Sequence, residues 1–176
     1  MKKETLLILG LIILVSLFRF IPHPPNMTPV IAISILSVAY FNKKYLQWGL
    51  PLLIMVITDV FLGFHALIPF VYGAILLAGL GGHILRKKYS FINSLGVSFL
   101  GSIIFFLVSN FGVWLVGDMY PKTMTGIISC YVAAIPFFHN TLISTLAVLS
   151  GVVLLNMFVE RTLKSSASDL AKDNSY

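Results

Sequence analysis

The sequence contains very little charge. Only 10% of its 176 residues are Asp, Glu, Lys or Arg, whereas 58% are hydrophobic. A soluble domain averages about 25% charged residues, so this chain lacks the charge to cover a water-facing surface. The composition predicts an integral membrane protein in a lipid bilayer. The net charge of +6 comes from small clusters between apolar runs, which is typical of membrane topology and not of nucleic-acid binding.

Catalytic and redox motifs are also missing. The single cysteine, Cys130, excludes an intrachain disulfide. There is no Gly-x-Ser-x-Gly, His-Glu-x-x-His or phosphate-binding loop. Cys130 and His139 could be imagined as a nucleophile and a base, but no third orienting group is recognisable, and a half-buried packing role for Cys130 is the default interpretation. The sequence predicts neither an enzyme nor a bound cofactor, and any use of ATP requires another chain.

Long apolar runs dominate the chain instead. The first resembles a signal peptide but lacks a small-residue cleavage site, so we predict an uncleaved first membrane helix. A membrane-spanning helix needs about 20 residues, and the second run is short enough to be re-entrant on length alone. We predict an all-α fold, a compact bundle of six transmembrane helices over residues 1–162, with a disordered tail at 163–176. The predicted helices are 5–21, 28–41, 46–62, 66–85, 91–116 and 136–159.

The distribution of basic residues indicates the orientation. With the N-terminus in the cytoplasm and six crossings, every Lys and Arg of the 12 in the chain falls inside except Arg19 and Lys122. This is a strong positive-inside bias. If the second run failed to cross, Lys43 and Lys44 would lie on the wrong side of their neighbours. We therefore expect a multi-pass protein of the bacterial cytoplasmic membrane with both termini in the cytoplasm.

Polar residues of other kinds gather at the predicted outer ends of the helices. Asp59 is the most informative, because a carboxylate in an apolar helix usually marks a polar cavity or a partner, although it could also be solvated at the headgroup level. The segment 127–138 is too short to be another crossing, and we expect it to lie along the outer surface as a short helix that ends before Pro136. The predicted ligand-binding residues are His23, Asn26, Asp59, His65, Asn110, Trp114, Tyr131, His139 and Asn140.

Alternatives remain open for several of these residues. His23, His65 and His139 could ligate zinc, nickel or cobalt, although their separations match no ligand motif and ordinary hydrogen-bonded histidines are the simpler interpretation. The aromatic residues could form an interfacial belt or stack on a flat organic ligand. The residues His23, Pro24, Pro25 and Asn26 of the proline-rich turn are expected to form part of a lid over the site.

Several strings resemble a known family. "PHPPNMTP", "TDVFLGFH", "SNFGVW" and "YPKTMTGIISCYVAAIPFFHNTL" are similar to an uncharacterised bacterial family of small six-helix membrane proteins proposed to act in transport. The likeness covers roughly residues 19–142. The size, the six helices and the outer polar cluster are also similar to the substrate-binding S components of energy-coupling factor (ECF) transporters. That resemblance implies a vitamin bound near the outer face, under the loops after helices one, three and five.

The resemblance has one departure. Many S components carry an Ala-x-x-x-Ala pattern on the first helix for docking to an energising module of ATPases and a transmembrane coupling subunit. Here the first helix offers only Gly10 and Ser16 as small residues, so docking to such a module stays open. Some S-like proteins for cobalamin resemble solitary transporters, which makes cobalamin one candidate ligand.

These observations favour a membrane protein that binds a small organic nutrient, such as a vitamin or cofactor precursor, for uptake. A transition-metal permease that uses the outer histidines is the first alternative. A non-transport assembly factor for a larger membrane complex is the second.

Overall fold

A computed structural model describes the backbone of residues 3–173 and the side chains of residues 9–162. Within that range the chain is entirely helical apart from its connecting loops. The helix bounds are α1 (Lys3–Ser16), continued by a 3-10 turn (Leu17–Phe20), α2 (Val30–Tyr40), α3 (Lys44–Leu62), α4 (Ile68–Gly79), α5 (Gly81–Lys87), α6 (Phe91–Val116) and α7 (Met124–Asp173). Because α4 and α5 form one continuous apolar stretch, the described segments amount to six helices.

The predicted all-α bundle of six helices is confirmed, but the helices differ in length. Four stretches are long and apolar enough to cross a membrane, namely Lys44–Leu62, Ile68–Lys87, Phe91–Val116 and Met124–Thr162. The described part of the first helix and the second helix are shorter. At about 1.5 Å per residue, the 11 residues of α2 span about half of a hydrocarbon core of about 30 Å.

The prediction for segment 127–138 is wrong. It is not a separate surface helix that ends before Pro136, because α7 begins at Met124 and continues through Pro136. Proline removes one backbone hydrogen bond, but membrane helices tolerate this where neighbouring helices support them. Helix α6 packs along α7, and Tyr131 donates to the Leu107 carbonyl at 2.6 Å. The backbone is helical to Asp173. The side chains of 163–176 lie outside the described residues, so the predicted disorder of this tail stays a prediction.

The short helix α2 lies at the centre of the bundle. Nine of its eleven residues are buried, and it packs against α1 and against every helix from α3 to α7. Helix α2 packs so closely against α5 that there is no room for a side chain at Gly82. A Cβ atom built there would lie 2.4 Å from the Ile35 carbonyl oxygen. Because α2 is apolar on all sides, burial by protein is the arrangement that its sequence favours.

The C-terminal end of α2 is bonded by side chains of other helices, since a buried helix end has no water to bond its backbone groups. At the C-terminal end, Arg86 donates to the carbonyls of Val38, Ala39 and Phe41. Gln47 donates to the Phe41 carbonyl at 2.6 Å. Arg86, which the sequence suggested only as a topological charge, therefore also caps the central helix.

The loops group into two ends of the bundle. We call the end with loops 21–29, 63–67 and 117–123 the proline end. Contacts between Phe20 and Phe61, and between Phe70 and Phe111, hold its helices together, with ring centroids 6.0 and 6.3 Å apart. We call the opposite end, with loops 41–43 and 88–90 and residues 156–162, the basic end.

The outer surface of the bundle is apolar. Large side chains such as Phe61 and Ile92 are 75% and 71% exposed, an arrangement that suits lipid contact and would promote aggregation in water. An apolar groove of about 620 Å³ also runs between α1 and α7 and is lined by residues such as Leu14, Phe18, Ile143 and Ala147. These surfaces support the assignment as a membrane protein.

Candidate functional site

A cavity of about 290 Å³ lies at the proline end. Its walls come from loop 21–29, the last turns of α6, loop 117–123 and residues 130–137 of α7. The lining residues combine amide, hydroxyl and thiol groups with apolar side chains: Pro25, Asn26, Asn110, Val113, Met119, Tyr120, Cys130, Ala133, Ala134 and Phe137. The unbroken α7 is what makes this cavity possible, because residues 130–137 stand beside α6 as a wall.

Loop 21–29 is held in place by side chains of α7. Asn140 donates to the Pro25 carbonyl at 3.0 Å. Thr141 donates to the Asn26 carbonyl at 3.4 Å and Ser144 to the Thr28 carbonyl at 3.1 Å. Irregular backbone within a membrane bundle needs such partners.

The backbone conformation of Asn26 makes the same loop turn sharply. Its φ of 62° lies in the left-handed region, which Asn adopts more readily than most residues. The chain thereby turns from the proline-rich stretch into α2, and Asn26 is brought to the cavity wall.

The polar groups of the cavity are uncharged. Asn110 donates from Nδ2 to the Phe106 carbonyl at 2.8 Å, which leaves its Oδ1 atom available as an acceptor. The Cys130 thiol contacts the Asn110 carbonyl at 3.5 Å. Among the described residues, no Asp, Glu, Lys, Arg or His lines this cavity. The arrangement can therefore bind a neutral molecule through a few hydrogen bonds and apolar contacts.

Trp114 and Lys122 hold loop 117–123, which forms part of the cavity wall. The Trp114 indole donates to the Pro121 carbonyl at 3.0 Å, and the Lys122 ammonium donates to the Gly117 carbonyl at 2.5 Å. Lys122 also lies 5.8 Å from the Trp114 ring centroid. These contacts fix loop 117–123 over the ends of α6 and α7, so Trp114 supports the cavity without lining it.

Asp59 belongs to a separate cluster between α1, α3 and α4. Its Oδ1 accepts from Arg19 at 2.7 Å, and its Oδ2 accepts from the Tyr72 hydroxyl at 2.8 Å. Arg19 also donates to the Thr58 hydroxyl. The ion pair links the end of the first helix to α3, and Asp59 is only 2% exposed. Sequence reasoning found the carboxylate but not its partners.

The histidines lie apart from the cavity. His23 contacts the Ile21 carbonyl through Nδ1 at 2.5 Å and packs on Phe18, while His65 and His139 are exposed. Within the part of the chain that the structure describes, no group of three or more His, Cys, Asp or Glu side chains could hold a metal ion. The metal hypothesis built on these three histidines therefore lacks a ligand set there.

The structure thus divides the predicted ligand-binding residues into three groups. Asn26 and Asn110 line the cavity. Asn140, Trp114 and Tyr131 hold its walls and loops, and Asp59, His23, His65 and His139 lie elsewhere. Sequence reasoning missed the supporting roles of Thr141 and Ser144. The signal available in the sequence was the presence of these two hydroxyl residues close together in an apolar helix.

Comparison with protein families shows which family the chain belongs to. A model described as a family of unknown function (DUF6580) matches residues 1–166 of the chain. No curated protein and no solved structure matches, so the resemblance to ECF S components stays a prediction.

Proposed function

The chain belongs to the DUF6580 family, and on that premise we propose that it binds a small, uncharged organic nutrient in the proline-end cavity during uptake across a membrane. The observation that carries the proposal is the lining of the cavity. Neutral acceptors and donors, such as Asn110 and Tyr120, stand beside apolar walls, such as Val113 and Phe137. Ligand pockets typically combine a mainly apolar lining with a few polar groups that give specificity.

The absence of charged side chains among the described lining residues narrows the ligand class. An ionic ligand would lose its hydration on entry and find no charged side chain among the described lining residues to compensate. A neutral molecule with amide or hydroxyl groups loses much less. We therefore favour a neutral vitamin or cofactor precursor over a carboxylate, a phosphate or a metal ion.

The volume of the cavity narrows the class of ligand further. Pockets for drug-sized ligands run from about 300 to 1,000 Å³, and a cavity of about 290 Å³ lies just below that range. A small heterocycle or a short polyol fits that space. A ligand as large as cobalamin would require loop 21–29 to move away from α7.

Movement of that loop is the proposed entry step. The loop is tied to α7 by the three hydrogen bonds from Asn140, Thr141 and Ser144, which can break without disturbing the helices. We place the proline end at the outer face of the bacterial cytoplasmic membrane and both termini in the cytoplasm, because the basic residues concentrate at the opposite end. Energy would come from an ECF-type module or another partner, or transport would follow the gradient.

The test is ligand binding by the purified protein in lipid nanodiscs. A panel of neutral vitamins and precursors is compared with charged analogues of the same size, using the unfolding temperature. A ligand at 100 times its dissociation constant adds about 2.7 kcal/mol of stability, which is readily measured. We expect at least one neutral compound to stabilise the protein and its charged analogue to have no effect.

Two variants of the same type on the same helix locate the site. Ala133→Phe fills the cavity and should abolish the response, whereas Ala147→Phe lies in the apolar groove and should retain it. The proposal fails if no neutral compound stabilises the protein, or if Ala133→Phe responds like the unmodified chain.

A further inference from the structure

A second cavity, of about 330 Å³, lies at the basic end, where α2, loop 88–90 and α7 meet. Its lining consists of Tyr40, Tyr89, Asn156, Met157, Glu160 and Arg161. These residues are distinct from those of the proline-end cavity, and the proposed nutrient site makes no use of them. Tyr40 is the last residue of α2 and Tyr89 lies in the loop before α6, so the cavity sits where the helices leave the apolar part of the bundle.

Asn156 is the unusual member of this cavity. It is 4% exposed and donates from Nδ2 to the Glu160 carboxylate at 3.3 Å, but its Oδ1 atom is buried without a hydrogen-bond partner. Buried polar atoms nearly always have a partner, and an exception requires an explanation. A bound molecule with an N–H or O–H donor would satisfy this acceptor.

The neighbouring groups add further acceptors. The Tyr40 hydroxyl donates to the Tyr89 hydroxyl, and the two rings meet edge to face with centroids 5.6 Å apart. Burial raises the pKa of the Tyr89 phenol, so this hydroxyl stays neutral at physiological pH. Its oxygen and ring both suit contact with a cation.

The Glu160 carboxylate can attract a cation at the same place. Glu160 supplies a carboxylate to the cavity, and the only ion pair among the described side chains of 9–162 is Arg19–Asp59. Three kinds of acceptor, the Asn156 amide oxygen, the Glu160 carboxylate and the tyrosine hydroxyls, therefore converge on one space. Arg161 lines the same space and can meet an anionic group attached to the cation.

We propose that the basic-end cavity binds a primary ammonium group. Such a group has three N–H donors, enough for Asn156, Glu160 and one hydroxyl together. Two sources offer this chemistry: the headgroup of an aminophospholipid, whose phosphate would face Arg161, and a free alkylamine from the aqueous phase. A trimethylammonium group has the same charge but no N–H donor, so it leaves Asn156 Oδ1 unsatisfied.

The experiment measures the unfolding temperature of the purified full chain in detergent as compounds are added. One arm compares phosphatidylethanolamine with phosphatidylcholine, and the other compares ethanolamine with choline. Stabilisation by the primary ammonium member of either pair, without stabilisation by its trimethylated counterpart, supports the proposal. A response only in the lipid arm identifies the headgroup as the source, and a response in both arms identifies any primary amine. Equal responses within each pair, or no response in either, overturn the proposal.

Variants connect the response to the cavity. Glu160→Gln removes the charge and Asn156→Leu removes the unpaired oxygen, and each should weaken apparent affinity about ten- to a hundredfold, as expected for a charge-assisted hydrogen bond. Asp118→Asn, in the exposed loop at the proline end, removes an equal charge and should respond like the unmodified chain. If Glu160→Gln and Asn156→Leu unfold cooperatively and still bind the primary amine as tightly, the site is not this cavity.

Discussion

Asp59 and Asn156 are both polar residues buried among apolar helices, 2% and 4% exposed, yet their surroundings differ in kind. Both oxygens of Asp59 accept hydrogen bonds from other helices, one from Arg19 and one from Tyr72. The oxygen of Asn156 accepts none. A complete set of partners characterises a group that holds the bundle together, whereas a missing partner beside a cavity leaves a place for a ligand. In a membrane bundle, burial alone does not distinguish these roles, but hydrogen-bond accounting does.

The largest effect should come from breaking the complete cluster. Asp59→Leu leaves Arg19, whose side chain is 12% exposed, without its counter-charge, and removing one partner of a buried ion pair lowers stability by about 3–5 kcal/mol. Thermal unfolding of the purified protein measures this loss. The double variant Arg19→Met with Asp59→Leu should recover most of it, because no unpaired charge remains. One hydrogen bond typically contributes about 1 kcal/mol of net stability. If Asp59→Leu lowers the free energy of unfolding by less than this, the ion pair does not have a structural role.

A pair of tyrosine variants gives a smaller and more direct comparison of the two clusters. Tyr72→Phe leaves Oδ2 of Asp59 buried without its donor and should lower the free energy of unfolding by about 1–3 kcal/mol. Tyr89→Phe removes a hydroxyl that bonds only a neutral partner, Tyr40, and should lower it by about 0.5–1.5 kcal/mol. Both are measured by the same unfolding curves. If Tyr89→Phe lowered the free energy of unfolding more than Tyr72→Phe, the Asp59 cluster would be the less tightly held of the two.

Asn156→Leu should have the smallest effect on the ligand-free protein. The change removes an acceptor that has no partner and one bond to Glu160, so we expect a change of about 0–1 kcal/mol in either direction. Unfolding in detergent without added lipid measures it, with Asp59→Leu as the reference. A loss as large as that of Asp59→Leu would show that Asn156 is a structural residue and would end the contrast between the two clusters.

The sequence was informative about the helices because apolar length and charge distribution are properties of short segments. The six helices, the short second helix and the grouping of basic residues all follow from local composition. It was less informative at Pro136, where a residue that ends helices in water lies inside α7. The support comes from α6, which packs alongside, and such support is invisible in the local sequence.

The candidate site was predictable only in part, because hydrogen-bond partners are set by distances in space. Asn26 and Asn110 were identified as polar residues near the same loops, and they line one cavity. Asp59 was identified as a candidate site residue by the same reasoning, but its partner Arg19 lies 40 positions away in the chain and forms an ion pair with it. Asn156 attracted no notice, because a single amide near the end of a long apolar helix is unremarkable until its neighbours are known.

The central position of α2 has a consequence for biosynthesis. Apart from α1, the helices that surround it, α3 to α7, are synthesised after it. Its two buried serines, Ser34 and Ser37, have hydroxyls without partners even in the finished protein, and 11 residues are too few to span the lipid alone. The donors for the Pro25, Asn26 and Thr28 carbonyls arrive only with α7. A nascent chain stopped before Met124 therefore lacks the α7 side of the packing around α2 and the donors that hold the loop before it.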